Sequence, residues 1–132
     1  MIGIDTNVLV RYLTQDDAEQ AGLATRFIEQ VITPENPGHI TGITLCELVW
    51  VLGECYDADH ARIKAVIEGL LSSKQLNVES PELVWGALRD WSEFGSDFSD
   101  ALIGRLVLAR GGVSIVTFDR AASKLPGFEL LK

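Results

Sequence analysis

Short apolar runs alternate with amphipathic helical stretches along this chain, and that alternation limits the possible folds more than any other feature. Ile2 to Ile4, His39 to Gly42, Gln75 to Val78, Val113 to Phe118 and Phe128 to Leu131 read as short strands. Helical patterns separate them. A strand that returns after a helix runs parallel to its predecessor, because a parallel return needs a long crossover. The expected fold is therefore α/β: three layers, with a central parallel sheet of about five strands and helices on both faces. The whole of residues 1–132 is expected to form a single domain, an ordinary size for one core.

Local signals set the helix boundaries. Asn7 suits the cap of a first helix that carries Val8, Leu9 and Leu13. Thr14-Gln15-Asp16-Asp17 is a polar start for a second, with Ala21, Ala24, Phe27, Ile28, Val31 and Ile32 at helical spacing. Thr44 is a plausible cap for a helix from Leu45 to about Tyr56, and His60 to Ser72 carries the next apolar stripe. Ser80-Pro81-Glu82 is a strong start signal, with Pro81 at the first helical position. Ala101 to Arg110 is apolar nearly all round and is expected to pack on more than one side, ending at Gly111-Gly112. Asp119 ends the clearest strand and is expected to cap a short helix holding Arg120, Ala121 and Ala122.

Composition narrows the function. Hydrophobic residues make up 47% of the chain, enough for a real core, yet no apolar run reaches the length of a membrane span. The chain opens directly in a strand, so a soluble cytoplasmic protein without a leader is expected. A formal net charge of −8 argues against a general nucleic-acid binder. It does not argue against a nuclease, because a divalent metal makes an acidic site locally positive. Cys46 and Cys55 fall on one predicted helix, roughly 13 Å apart along its axis and on opposite sides. That excludes a disulfide within the helix, and both are expected to be small, partly buried core residues.

Four carboxylates stand out by position. Asp5 and Asp119 each end an apolar strand, whereas Glu47 and Asp100 are placed in the first turns of helices. Acids at helix starts are commonly structural, favoured by the helix dipole. Several acids meeting at one sheet edge are a different matter, because mutual repulsion raises their pKa values unless a cation neutralises them. Oxygen donors of this kind suit Mg2+ or Mn2+. Asp97, three residues before Asp100, either caps the same helix or touches the same site. Glu54 lies on the Glu47 face of its helix but about 10 Å further along the axis, and reads as a solvated charge. His39 and His60 have no evident catalytic partner and read as surface or turn residues.

Ile4-Asp5-Thr6-Asn7-Val8-Leu9, Thr44-Leu45-Cys46-Glu47-Leu48, Asp97-Phe98-Ser99-Asp100-Ala101-Leu102-Ile103 and Thr117-Phe118-Asp119 occur in that order. Each motif is weak alone. Together they resemble the PIN-domain ribonucleases, and in particular the VapC toxins of bacterial toxin–antitoxin modules, from the first residue of the chain to the last. The resemblance implies strand order 3-2-1-4-5, with Asp5 at the switch point of the sheet. It places the metal-binding and catalytic acids at Asp5, Glu47, Asp100 and Asp119, with Asp119 reaching metal directly or through water. It puts a supporting hydroxyl at Thr6 and the following helix start at Asn7, with Asp97 nearby. Gly104-Arg105 departs from the family, which more often has small apolar residues there.

The chemistry so implied is Mg2+- or Mn2+-dependent endonucleolytic cleavage of RNA, in which the cation polarises a phosphate and acidifies a bound water. Arg11, Arg105 and Arg120 lie on elements that carry the acids and are candidates for RNA phosphate contacts, each weighed against an ordinary surface charge. The resemblance also implies a homodimer and an antitoxin partner. Trp50, Val51, Cys55 and Tyr56, with the stripe Ile63 to Leu71 on the next helix, suggest surplus apolar surface for such contacts. Competing readings are an RNA-processing nuclease outside a toxin module, and a PIN fold that only binds. A signalling receiver domain is disfavoured, since Asp5 has no adjacent acid and Lys124 falls inside a predicted helix.

Overall fold

A computed structural model describes residues 1–132. The chain divides into two compact units, Met1–Glu79 and Ser80–Lys132.

The first unit begins with β1 (Ile2–Gly3) and α1 (Thr6–Thr14). Helix α2 (Ala18–Arg26) follows and runs into a π-helical turn, Phe27–Val31, in which the Ile32 N–H reaches back to the Phe27 carbonyl at 3.1 Å. Strand β2 (Gly38–Ile40), helices α3 (Gly42–Tyr56) and α4 (His60–Ser72), and strand β3 (Leu76–Val78) complete the unit. The three strands form one sheet in the order β1-β2-β3, and both pairings are parallel. Helix α1 packs on α2 and α3. The core gathers Ile4, Leu9, Ile28, Ile40, Leu45, Leu48 and Ile67, all buried.

The second unit holds α5 (Pro81–Phe94), α6 (Phe98–Ala109), β4 (Ile115–Thr117), a 3-10 turn (Ala122–Lys124) and β5 (Phe128–Leu130). Strands β4 and β5 pair parallel in a sheet of their own. Helices α5 and α6 pack together around Val84, Leu88, Phe98 and Leu102. Trp91 and Phe98 meet edge to face at 5.9 Å between ring centres.

Strand–helix alternation and parallel pairing are thus as the sequence implies, but the single five-stranded sheet in order 3-2-1-4-5 is not formed. Two small sheets stand in its place, and β1 is an end strand of the first. The strands are only two or three residues long, so each ladder holds few hydrogen bonds. The predicted strand Val113 to Phe118 contributes only Ile115–Thr117 to a ladder.

Several helix starts shift by a few residues. Asp5, not Asn7, caps α1. Thr41, not Thr44, caps α3, and its hydroxyl accepts from the Thr44 N–H at 3.1 Å. Glu47 consequently lies in the second turn of α3, not the first. Helix α4 occupies the predicted residues, and α5 starts at Pro81 as expected. Ser80 makes no side-chain cap, however, and adopts a left-handed conformation with φ 48°. Helix α6 is not enclosed on all sides, because Ile103, Leu106 and Leu108 are exposed. Cys55 is exposed and only Cys46 is partly buried. No helix is long and apolar enough to cross a membrane.

Candidate active site

In the first unit the acids are joined through one threonine. Beyond β1 the backbone at Asp5 stays extended (φ −77°, ψ 156°), and its Oδ1 accepts from the Thr6 N–H at 2.9 Å. A short acceptor at that place caps the helix and is further favoured by the dipole. Thr6 is buried, and its hydroxyl donates to Glu47 Oε1 at 2.6 Å. The acid that starts α1 and the acid on α3 are therefore held by adjacent atoms of one residue. Both carboxylates remain exposed.

Asn7 lies exposed in the first turn of α1 and, with Arg11, lines a mainly apolar pocket of about 460 Å³ beside Ile2, Val8 and Phe27. A second pocket of about 450 Å³ runs past Leu52, Tyr56, Asp59 and Arg62. Neither includes Asp5 or Glu47. Arg11 is already engaged: it donates to Gln20 at 2.7 Å and to Asp16 at 3.0 Å, while the Tyr56 hydroxyl donates to the same Asp16 carboxylate at 2.6 Å. Proton donors on both its oxygens hold the Asp16 carboxyl below its usual range, the Tyr56 bond contributing most.

In the second unit Asp97 occupies the cap position of α6 without making a capping bond, and Asp100 lies in the first turn as expected. The Ser96 hydroxyl donates to Asp100 Oδ2 at 3.1 Å. Burial pushes the Asp100 carboxyl above its usual range, the Ser96 bond opposes this, and the charges of Asp97 and Asp119 add to the rise. Burial thus outweighs the like-charge repulsion that the sequence suggests as the cause. Asp119 follows β4, and its Oδ1 accepts from the Ala121 N–H at 2.8 Å and the Ala122 N–H at 3.3 Å. It organises the turn that the sequence assigns to it, although the helix that follows is a single 3-10 turn, Ala122–Lys124.

Arg105 makes a bidentate pair with Asp90, at 2.6 Å from Nε and 2.7 Å from Nη2. The guanidinium proposed for RNA is thereby given to a buried carboxylate on α5. A Cβ added at Gly86 would lie 2.9 Å from Arg105 Nε, and one added at Gly104 would lie 2.7 Å from the Phe128 ring. The departure from the family pattern at Gly104-Arg105 therefore has a local reason, close packing on one side and an ion pair on the other. Arg120 is exposed. Sequence reasoning missed both Ser96 and Asp90. Ser96 was detectable, four residues before Asp100; Asp90 had no signal, because its partner is on another helix.

Taken singly, the candidate acids are oxygen donors of the kind that suits a hard divalent cation. Asp5 and Glu47 come from one unit and Asp97, Asp100 and Asp119 from the other, all of them oxygen donors. No group of three or more acidic, histidine or cysteine side chains is drawn together closely enough to hold a metal ion.

The PIN domain family model matches residues 2–127, and the chain belongs to that family. It is similar to a VapC ribonuclease of Aquifex aeolicus (strain VF5), with 26% identity over 126 residues that cover 96% of this chain and 92% of the relative. PIN-family membership and this likeness support a nuclease-type enzymatic fold.

Proposed function

We propose that the chain is a Mg2+- or Mn2+-dependent endoribonuclease acting as the toxin of a VapBC-type toxin–antitoxin module. The observation that carries this reading is the Asp5–Thr6–Glu47 connection in a chain of the PIN family. Thr6 donates through its N–H to one acid and through its hydroxyl to the other, and this orients both while leaving each a free oxygen. It is the family resemblance that proposes Asp5, Glu47, Asp100 and Asp119 as the acids for the cation, with Asp97 at its margin, and not their spacing in the structure, which draws no three of them together. A cation held there would supply Lewis-acid polarisation of a phosphate and acidification of a water. Thr6 fixes the Glu47 carboxylate, and Ser96 fixes that of Asp100.

An RNA-processing role outside a toxin module uses the same site, and the likeness to a VapC ribonuclease favours the toxin. A domain that only binds is disfavoured by the complete set of acids. Two partners follow from the toxin reading. One is an antitoxin segment whose apolar helix carries a basic side chain able to pair with the acids in place of metal. The other is a second copy of the chain. The apolar surplus that suggested it shrinks in the structure, since Ile63, Ile67 and Leu70 of α4 are buried.

Asp5→Asn tests the reading. Asparagine caps a helix about as well as aspartate, so the fold and its melting temperature are expected to stay near wild type. Mg2+-dependent cleavage of RNA is expected to fall more than ~100-fold. Cleavage by this variant at the wild-type rate would reject the mechanism.

A further inference from the structure

Strand β1 has one unused edge. Ile2 and Ile4 donate to the Pro37 and His39 carbonyls, so the backbone of Gly3 between them turns away from β2. The mainly apolar pocket of about 460 Å³ runs along β1, lined by Ile2, Ile4, Val8, Leu23 and Phe27 among others. The second unit carries a matching edge. In β4 the Ile115 N–H and the Thr117 carbonyl are bonded to the β5 segment, so the backbone of Val116 turns away from it. The side chains of Val116 and Phe118 lie on one face of that strand and are 58% and 79% exposed.

Strand parity decides how the two edges fit. When β4 runs parallel beside β1 with Val116 turned toward it, residues opposite each other point to the same face of the sheet. Pairing Gly3 with Thr117 sets Val116 beside Ile2 and Phe118 beside Ile4, both on the pocket side. Pairing Gly3 with Ile115 instead would put Ser114 there and carry Phe118 past the end of β1. The register that fills the pocket also sets Asp119 opposite Asp5. So short a ladder holds little by itself; the two apolar side chains supply the grip.

The junction of the units decides between one chain and two. The Glu79 N–H is held by the Ile40 carbonyl at 2.9 Å, and the Ser80 carbonyl already accepts from Leu83 at 2.9 Å and Val84 at 3.1 Å. No slack residue lies between them, and Ser80 is a non-glycine residue in the left-handed region (φ 48°). A short junction under strain favours exchange of units between copies over closure within one.

We infer that the free edge and pocket of β1 receive β4 of a second copy, and that each site is shared, with Asp5 and Glu47 from one copy and Asp100 and Asp119 from the other. The two-fold equivalent contact uses the remaining pair of edges, so the dimer closes. The docking stands on the edges and the junction. The sharing rests on the nuclease reading above and deepens it.

A disulfide tests the docking without RNA. Gly3→Cys and Thr117→Cys are introduced together in a Cys46→Ser/Cys55→Ser background. A Cβ added at Gly3 meets nothing within 4 Å, so that site has room for the change. After oxidation the protein is expected to run as a covalent dimer on a denaturing gel and as a monomer once reduced. A bond closed within one chain, seen as a monomer with blocked thiols, would overturn the inference, and so would the absence of any bond.

Complementation tests the sharing. Asp5→Asn and Asp119→Asn are each expected to be inactive against RNA. Unfolded and refolded together in equal amounts, they are expected to regain about a quarter of wild-type cleavage, because about half of the dimers are mixed and each of these keeps one complete site. A mixture as inactive as its parts, beside an active wild type, would overturn the shared site. The two readings fail separately. A covalent dimer with no RNA cleavage by wild type would reject the nuclease and keep the docking. Cleavage that is lost in Asp5→Asn, with no link between copies, would keep the nuclease and reject the docking.

Discussion

At the residue scale, Asp100 combines a structural cost with a proposed catalytic role. Burial and the nearby charges of Asp97 and Asp119 raise its carboxyl pKa above the ordinary value. A carboxyl whose pKa is raised on folding binds its proton more tightly in the native state. Its contribution is therefore favourable below the unfolded pKa, and stability falls as pH rises through the folded pKa. In metal-free buffer, Asp100→Asn is thus expected to raise the melting temperature at neutral pH. The gain should shrink as pH falls through the carboxylate range, where wild type keeps its proton. Melting curves at several pH values check this, and a gain that grows on acidification would contradict it. The position of Asp100 in a first turn was legible in the sequence, because the acid precedes a run of helix formers. The capping of α1 was less so. Asp5 and Asn7 are both good caps within three residues, and local preference does not choose between them. The strand that precedes Asp5 makes the choice, because it leaves that residue extended.

At the element scale, α5 and α6 are clasped by the Arg105–Asp90 pair. Asp90 is buried, whereas a third of the Arg105 side chain is exposed. Arg105→Ala leaves a buried carboxylate unpaired and is expected to cost about 2–4 kcal/mol of stability. Asp90→Ala leaves a guanidinium that still reaches water and should cost less. Gly86 makes room for the clasp, so Gly86→Ala is expected to destabilise the wild type by pressing on Arg105. In an Arg105→Ala background the same change should stabilise by roughly 0.5–1 kcal/mol, the usual gain of alanine over glycine within a helix. Urea unfolding of the four proteins measures the cycle, and a Gly86→Ala effect of the same sign in both backgrounds would remove the coupling. None of this was legible in the sequence. The pair spans 15 residues and two helices, and neither residue advertises the other. By contrast, α4 and the start of α5 were readable from one apolar stripe and one Ser-Pro signal. The sheet was only half readable. Parallel direction follows from alternation, but which short strands pair depends on contacts between distant segments that no local pattern encodes.

At the scale of the whole molecule, the charge of −8 bears on how the proposed RNA substrate would be bound. A basic binder loses affinity steeply with salt, because bound phosphates release counterions. Of the three arginines considered for RNA contacts, Arg11 and Arg105 are paired with Asp16 and Asp90, which leaves Arg120 beside Asp119. At saturating Mg2+, the KM for RNA is therefore expected to stay nearly flat as KCl rises through the physiological range. Steady-state kinetics at several salt concentrations test this, and a loss of tenfold or more would point to a basic RNA path. The places of the four acids beside strand ends and helix starts were legible, since each member closes a strand or lies near a helix start; the joining of Asp5 to Glu47 through Thr6 was not, because it depends on the packing of α1 on α3. The brevity of β1 has a consequence for solubility. In a parallel ladder where Ile2 and Ile4 donate to Pro37 and His39, the backbone groups of Gly3 face away from β2, and Met1 and Ile2 are exposed beside them. A longer strand with that outline would invite its neighbours to add on indefinitely, as fibrils do. Two residues give such a stack too little to grip, and the helix that starts at Thr6 ends the template before it can propagate.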